Sequence, residues 1–371
     1  MTGDGTRCVH GGNGYGHGTP GAPLHPGPVL SSTFHLGVPG DPLPTDFYGR
    51  ADNPTWRALE AAIGELDGGE CVVFASGMAA IAAVQRLAEG ALVLPSDGYY
   101  VARALAHDER RAEVREVPTA GPWPEETLYG AGLVLLETPS NPGLDVCDIA
   151  ALAAAAHAAG ALVAVDNTTA TPLGQRPLQL GADLTVASDT KALAGHGDVL
   201  LGHVSARDPA VAARLRELRT RAGAVPGPME TWLAHRGLGT LDLRLSRQAA
   251  NATALVEVLR AHPAVEAVRW PGHPGDPAHG LARRQMRRWN GVLTFTLASE
   301  AAVGRFLTAS RLVASATSFG GLSTTADRRR RWGDDVKPGL LRLSAGCEDA
   351  EDLVADVRTA LDAALDAASR G

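Results

Sequence analysis

Lysine is nearly missing from this chain. Of its 34 Lys and Arg residues, only Lys191 and Lys337 are lysines; the rest are arginine. Arginine serves wherever a fixed cation suffices. A retained lysine therefore points to chemistry closed to a guanidinium, namely losing a proton and forming a Schiff base. The same scarcity excludes a Walker A phosphate loop, because neither lysine follows a glycine. Cysteine is sparse too. Cys8, Cys71, Cys147 and Cys347 lie far apart without a C-x-x-C pair, which argues against a zinc ribbon or a secreted disulfide scaffold. H-E-x-x-H is absent, and no metal is expected. There is no basic excess: the formal net charge is −7, whereas a nucleic-acid binder needs a cationic face. No apolar run is long enough for a membrane span. Ile149 to Val165 is interrupted by His157 and Gly160 and reads as a helix, a glycine stop and a buried strand. The polar, glycine-rich first twenty or so residues carry no apolar signal segment, so a cytoplasmic protein is expected.

The length of 371 residues suits two domains. Residues 1–45, dense in Gly and Pro, read as an extended N-terminal arm. Within them Gly12-Asn13-Gly14-Tyr15-Gly16 only superficially resembles a nucleotide loop, since no strand precedes it. Residues 46–245 read as a large α/β domain. Helical patterns at Pro54–Leu66 and Gly77–Leu87 alternate with short apolar strands at Cys71–Phe74, Ala91–Pro95, Leu133–Glu137, Leu162–Asp166 and Leu184–Ser188. That alternation predicts a mostly parallel sheet covered on both faces. Residues 246–371 read as a smaller α+β C-terminal domain. A helix over Leu245–His262 precedes strands near Val265–Trp270 and Gly291–Leu297, and helices follow over Glu300–Ser310 and Ala350–Ala368. The run Arg328–Arg331 reads as a solvated helix face or a subunit contact.

Ligands of open α/β sheets bind at the carboxyl ends of the strands. Four predicted strand ends here carry chemistry. Phe74 leads into Ala75-Ser76-Gly77-Met78, a helix entry whose free amides suit a phosphate. Leu136 leads into Glu137-Thr138-Pro139-Ser140-Asn141, Val165 into Asp166-Asn167, and Ala187 into Ser188-Asp189-Thr190-Lys191. Singly, Asp166 could be a helix cap, and Ser188 and Thr190 ordinary turn residues. Together they offer a phosphate cradle, an amide, a carboxylate and an amine flanked by hydroxyls. Pyridoxal phosphate needs this set: a lysine for the Schiff base, a carboxylate for the pyridine nitrogen, and hydroxyls and amides for the phosphate.

The chain resembles the Cys/Met-metabolism family of pyridoxal-phosphate enzymes, which includes cystathionine γ-synthases, cystathionine γ-lyases and methionine γ-lyases. The resemblance runs over nearly the whole sequence. Its motifs are Thr6-Arg7-Cys8-Val9-His10-Gly11, Ser31-Ser32-Thr33-Phe34, Tyr48-Gly49-Arg50 with Asn53-Pro54-Thr55, and Phe74-Ala75-Ser76-Gly77-Met78. Further along stand Glu137 to Pro142, Val165-Asp166-Asn167-Thr168, Ser188-Asp189-Thr190-Lys191, Arg236-Gly237-Leu238, Ser318-Phe319-Gly320-Gly321 and Leu341 to Glu348. The resemblance implies a fold-type-I, aspartate-aminotransferase-like α/β architecture with pyridoxal 5'-phosphate as cofactor. It implies that Lys191 is the Schiff-base lysine and proton carrier, and that Asp166 pairs with the pyridine nitrogen. Gly77, Met78, Ser188 and Thr190 would hold the phosphate, and Tyr48 and Arg50 would reach a neighbouring subunit's phosphate. Asn141 would contact the cofactor and face the substrate. Tyr99 would stack on the ring and serve as acid and base at the leaving group. Arg342, with Ser318 and Ser323, would meet the substrate, its fork suiting a carboxylate. Family members are usually tetramers that act on small amino acids.

The expected reaction is γ-elimination from an L-amino acid, foremost as a cystathionine γ-lyase. Cystathionine γ-synthase and methionine γ-lyase chemistry are the alternatives. A further alternative is loss of halide from a γ-halogenated amino acid, such as chloroallylglycine going to propargylglycine. Its motive is the neutral run Leu322-Ser323-Thr324-Thr325, where γ-acting relatives often carry an acid. The family's Tyr-Gly-Gly-Thr is Tyr99-Tyr100-Val101-Ala102 here, which leaves open whether Tyr99 or Tyr100 stacks. Intact Lys191, Asp166 and Arg342 argue against a cofactor-free scaffold protein.

Overall fold

The computed structural model describes residues 2–14, 18–108 and 113–365. Seven strands form the large sheet: β1 (Glu70–Phe74), β2 (Ala91–Pro95), β3 (Val114–Val117), β4 (Ala131–Glu137), β5 (Leu162–Asp166), β6 (Leu184–Ala187) and β7 (Gly202–Ala206), in the order β1-β7-β6-β5-β4-β2-β3. All neighbours are parallel except β7, which runs antiparallel to both β1 and β6. Alternate residues of each strand feed opposite faces. Leu133 and Leu135 of β4 join the core against one helical layer, and Val134 and Leu136 the core on the other side. The second sheet, in the order β10-β11-β12-β9-β8, comprises β8 (Val265–Arg269), β9 (Val292–Leu297), β10 (Ala314–Ser315), β11 (Thr325–Arg328) and β12 (Leu340–Ser344).

Local signals set the helix ends. Asn53 accepts from the Thr55 amide and precedes a Pro at the first helical position, and Gly68 at φ 80 stops the helix Pro54–Asp67. The run from Ile149 resolves as the helix Ile149–Ala158, a left-handed Gly160, and β5. Helix Leu241–Ala261 starts among the large-sheet cores through Leu241 and Leu245 and ends in the second core through Leu255, Val256 and Leu259. One helix is thus shared by both cores.

Several elements differ from the sequence reading, among them β10, β11 and β12 of the second sheet, which it did not include. Asp4–His10, inside the expected arm, is a helix. Cys8 buries among Trp56, Leu59 and Ile63, and Asp4 pairs with Arg176 at 2.7 Å. Strand β3 lacks the apolar run that marks the others. Strand β7 carries His203 and Ser205, polar residues that are fully buried, so its composition hides it. No helix among the described residues is long and apolar enough to cross a membrane.

Candidate active site

The carboxyl ends of β1, β4, β5 and β6 open into one cleft of about 440 Å³, closed on its far side by the second sheet. At the β1 end, Ser76 caps the helix Gly77–Gln85. Its Oγ accepts from the Ala79 amide at 3.1 Å, and its carbonyl from Ala80 at 3.1 Å. The Gly77 and Met78 amides precede the first intrahelical bond, so they are free for an anion. A Cβ on Gly77 would lie 2.6 Å from the Ser188 Cβ and 2.9 Å from its Oγ. Only glycine lets Ser188 approach the helix start this closely. Thr190 exchanges hydrogen bonds with Leu201, donating at 3.3 Å and accepting at 3.1 Å.

At the β5 end, Asp166 is buried and accepts from the Thr168 amide at 2.9 Å. Burial pushes its pKa up, while the Thr168 bonds and the charges of Lys191 and His203 resist. Lys191 closes the turn after β6, its amide bonded to the Ser188 carbonyl at 3.2 Å. Its Nζ lies 5.8 Å from the centre of the Phe319 ring, and the Arg342 guanidinium lies 5.0 Å from the same centre. Burial, then the charge of Arg342, pulls the lysine pKa down. Arg342, on β12, donates to Asn141 Oδ1 at 2.7 Å and to the Ser318 carbonyl at 3.0 Å. Burial and neighbouring Arg329 bring its pKa down to about 10. Ser318 sits at φ 73, a costly conformation for a non-glycine residue, and its carbonyl thereby meets Arg342.

Most of the expected site residues meet here. Gly77, Met78, Tyr99, Asn141, Asp166, Ser188, Thr190, Lys191, Ser318 and Arg342 all line the cleft. Tyr48 and Arg50 do not. Both are exposed, with the Arg50 guanidinium 5.4 Å over the Tyr48 ring and 3.3 Å from the Thr220 carbonyl. Ser323 is not among the lining residues either and is exposed. The carboxylate of Glu348 accepts from the Thr324 amide and hydroxyl, at 2.5 and 2.8 Å; that clamp fixes the turn and leaves Ser323 outward. Lys337 is outside the cleft, 68% exposed and 3.3 Å from Glu266.

Several contributors escaped the sequence reading. Glu137, buried at the end of β4, accepts from the Tyr99 amide at 2.6 Å and the Asn141 amide at 2.7 Å. One carboxylate thus sets two cleft residues. Burial and the nearby Asp166 charge push its pKa up to about 8. Arg329 is not solvated: it is buried, bonded to Asp334 at 2.7 Å and Asp327 at 3.1 Å, and it lines the cleft beside Trp332. The acids flanking the arginine run were the available signal. Next to Lys191, the Asp189 carboxylate contacts His203 Nδ1 at 2.6 Å. The Nε2 of His203 contacts Asp67 at 3.1 Å, and Asp67 also accepts from the Ser205 hydroxyl at 2.7 Å. All of this is buried. The two carboxylates hold His203 protonated, its pKa raised to about 10 against burial. Asp189 is pushed up by burial and held down by His203.

The donor set fits pyridoxal phosphate. It offers a glycine-walled cradle with two free amides, a buried carboxylate with one unshared oxygen, and an amine lining the same cleft. Known proteins agree. A sequence profile of the Cys/Met metabolism PLP-dependent enzymes matches residues 6–362. A Streptomyces coelicolor protein, provisionally named cystathionine gamma-lyase, is 54% identical over 97% of this chain and 94% of its own. The L-methionine gamma-lyase of Pseudomonas deceptionensis is 38% identical, over 85% of each chain. The crystal structure of cystathionine gamma synthase from Xanthomonas oryzae, 34% identical, superposes with a TM-score of 0.92 over 99% of both chains. Cradle, carboxylate and lysine on this sheet, together with the profile match, make the chain a member of the Cys/Met-metabolism pyridoxal-phosphate-dependent enzymes.

Proposed function

We propose that the protein is a γ-eliminating lyase that releases the thiol from cystathionine. The observation that carries this reading is the joint placement of Lys191, Asp166, Tyr99 and Arg342 around one cleft, in a chain 54% identical to a relative of that name. Bound pyridoxal phosphate supplies an aldehyde that takes up amines and a ring that stores an electron pair. Arg342 grips the substrate carboxylate, its fork released from Asn141 and Ser318. Lys191, its pKa lowered by its surroundings, takes the proton from the α-carbon and then serves the β-carbon. Burial raises the Tyr99 pKa, so its phenol stays protonated at neutral pH. That is the state needed to hand a proton to the departing sulfur, help worth about 10²- to 10⁴-fold. Glu137 fixes Tyr99 through its backbone rather than touching the phenol.

We further propose that the site is completed by a second copy of the chain, as part of a tetramer. Leu200 lines the cleft yet is 69% exposed, and Tyr48 and Arg50 are exposed and away from their own cleft. Both features suit a neighbour's Tyr48 and Arg50 reaching in to the phosphate, carried by the segment 18–45 that leads up to them. We put the division between the two domains near residue 245, within the helix that contributes to both cores. The four cysteines are free, which suits a reducing cytoplasm.

The test is incubation of the purified cofactor-loaded protein with cystathionine, followed by mass spectrometry. Gamma-elimination yields cysteine, ammonia and 2-oxobutanoate. Pyruvate with homocysteine would mark cleavage at the β-carbon and overturn the proposal, as would no cleavage at all.

A further inference from the structure

We propose that Arg329 reads a carboxylate carried by the substrate's leaving group, so that the cleft prefers a γ-thioether with an acidic tail to one with a plain alkyl tail. This rests on the γ-lyase reading of the same cleft and names the residue that selects its substrate. The arginine run begins at Arg328, the last residue of β11, and continues into a short 3₁₀ turn, Arg329–Trp332, that opens with Arg329. Arg329 is turned inward, its side chain only 6% exposed. Two of its guanidinium nitrogens are committed: Nε donates to Asp334 at 2.7 Å and Nη1 to Asp327 at 3.1 Å. The third, Nη2, has no partner among the described residues, although the side chain is part of the cleft wall. A guanidinium donor open to the cleft gains a charge-assisted hydrogen bond when a ligand there brings an acceptor.

The surrounding charges favour an anionic acceptor. Asp327, buried, is the common counter-ion. It lies 3.1 Å from Arg329, 3.8 Å from Arg342 and 3.9 Å from Arg331, and it accepts from the Trp332 indole at 2.9 Å. Asp334 is the only other carboxylate paired with this group among the described residues. Three guanidiniums therefore face two carboxylates. The same aspartate ties Arg329 and Arg342 together, so the cleft presents two clamped guanidinium groups. A simple amino acid offers one carboxylate, and Arg342 takes it. A substrate whose leaving thiol carries its own carboxylate occupies both. Asp327 is then a positioning residue, acting through the two arginines.

The experiment compares cofactor-loaded wild type, Arg329→Gln and Arg329→Lys on cystathionine and on methionine, whose leaving group has no carboxylate. A charge-assisted hydrogen bond predicts that Arg329→Gln lowers the ratio of kcat/KM for cystathionine to that for methionine by about 10- to 100-fold, mainly through KM. Arg329→Lys should recover part of it. Loss of folded protein scales both substrates alike and cancels in the ratio. An unchanged ratio, whether both activities fall together or neither falls, overturns the inference. If wild type cleaves neither substrate, the γ-lyase reading fails by itself. Calorimetric binding of the two amino acids to wild type and Arg329→Gln then decides: selective weakening of cystathionine supports the role of Arg329, and equal or no weakening overturns it.

Discussion

The substitution His203→Leu tests the buried charge network beside the Schiff-base lysine. In the wild type the imidazolium stands between Asp189 at 2.6 Å and Asp67 at 3.1 Å. A leucine side chain there leaves both carboxylates buried, and breaking such a pair costs about 3–5 kcal/mol. At roughly 2.1 cal/mol/K per residue, 371 residues give an unfolding entropy near 0.8 kcal/mol/K, so the midpoint should drop by roughly 4–6 °C. Differential scanning calorimetry at pH 7 measures it. The sign of the pH dependence follows from the direction of the shift. Folded His203 keeps its proton to about pH 10, whereas the unfolded residue loses it at 6.5. Its stabilisation is therefore fully present below pH 6.5 and lost as pH rises toward 10, at up to about 1.4 kcal/mol per pH unit. Glu137, raised to about 8, contributes a loss of the same sign up to that pH. The measurement uses the cofactor-loaded protein, because a free Lys191, its pKa lowered by burial, would act in the opposite sense; from about pH 8 to 9 the loss is then that of His203, before unfolded cysteines titrate at 9.0. A midpoint for the His203→Leu variant within about 1 °C of wild type, the size of an ordinary surface substitution, would refute the reasoning. So would a wild-type midpoint that rises between pH 8 and 9.

Three further outcomes follow from the cleft. Lys191→Ala should abolish the borohydride-reducible cofactor adduct and turnover, while Lys337→Arg stays near wild type; tryptic mass mapping after reduction locates the adduct. Gly77→Ala places a methyl 2.6 Å from the Ser188 Cβ, an overpacking worth about 1–3 kcal/mol, and should weaken cofactor retention about 5- to 100-fold in an absorbance titration of the stripped protein. Arg50→Ala and Lys191→Ala, each inactive alone, should regain roughly a quarter of wild-type turnover after mixing, because half of random dimers carry one intact site of two. No recovery after verified subunit exchange would refute shared sites.

What the sequence disclosed was set by contrast with its surroundings. Lys191 stood out against an arginine background, and Asp166 and Ser188 stood at the ends of apolar strands that periodicity reveals. The parallel strands β2, β4, β5 and β6 are buried on both faces and read as largely apolar runs. Strand β7 did not, because its inward polar residues His203 and Ser205 are satisfied by Asp67 and Asp189, partners 136, 138 and 14 positions away. Glu137 looked like one residue of a turn motif, since its partners are backbone amides, which carry no sequence signature. Arg329 was hidden among identical neighbours; which of four arginines turns inward depends on Asp327 and Asp334 being buried with it. The helix at Asp4–His10 was masked by glycine content, and packing of Cys8 overrode propensity.

The scarcity of lysine has a practical consequence for handling the molecule. Apart from the chain's amino terminus, only Lys337 presents an amine on the surface, 68% exposed, while Lys191 is inside the cleft. Reagents that acylate amines would act as site-directed labels. With the cofactor occupying Lys191, a dye or a surface linker would attach at the turn after the 3₁₀ segment. Immobilised molecules would then be held through Lys337, once per chain, wherever the amino terminus is blocked.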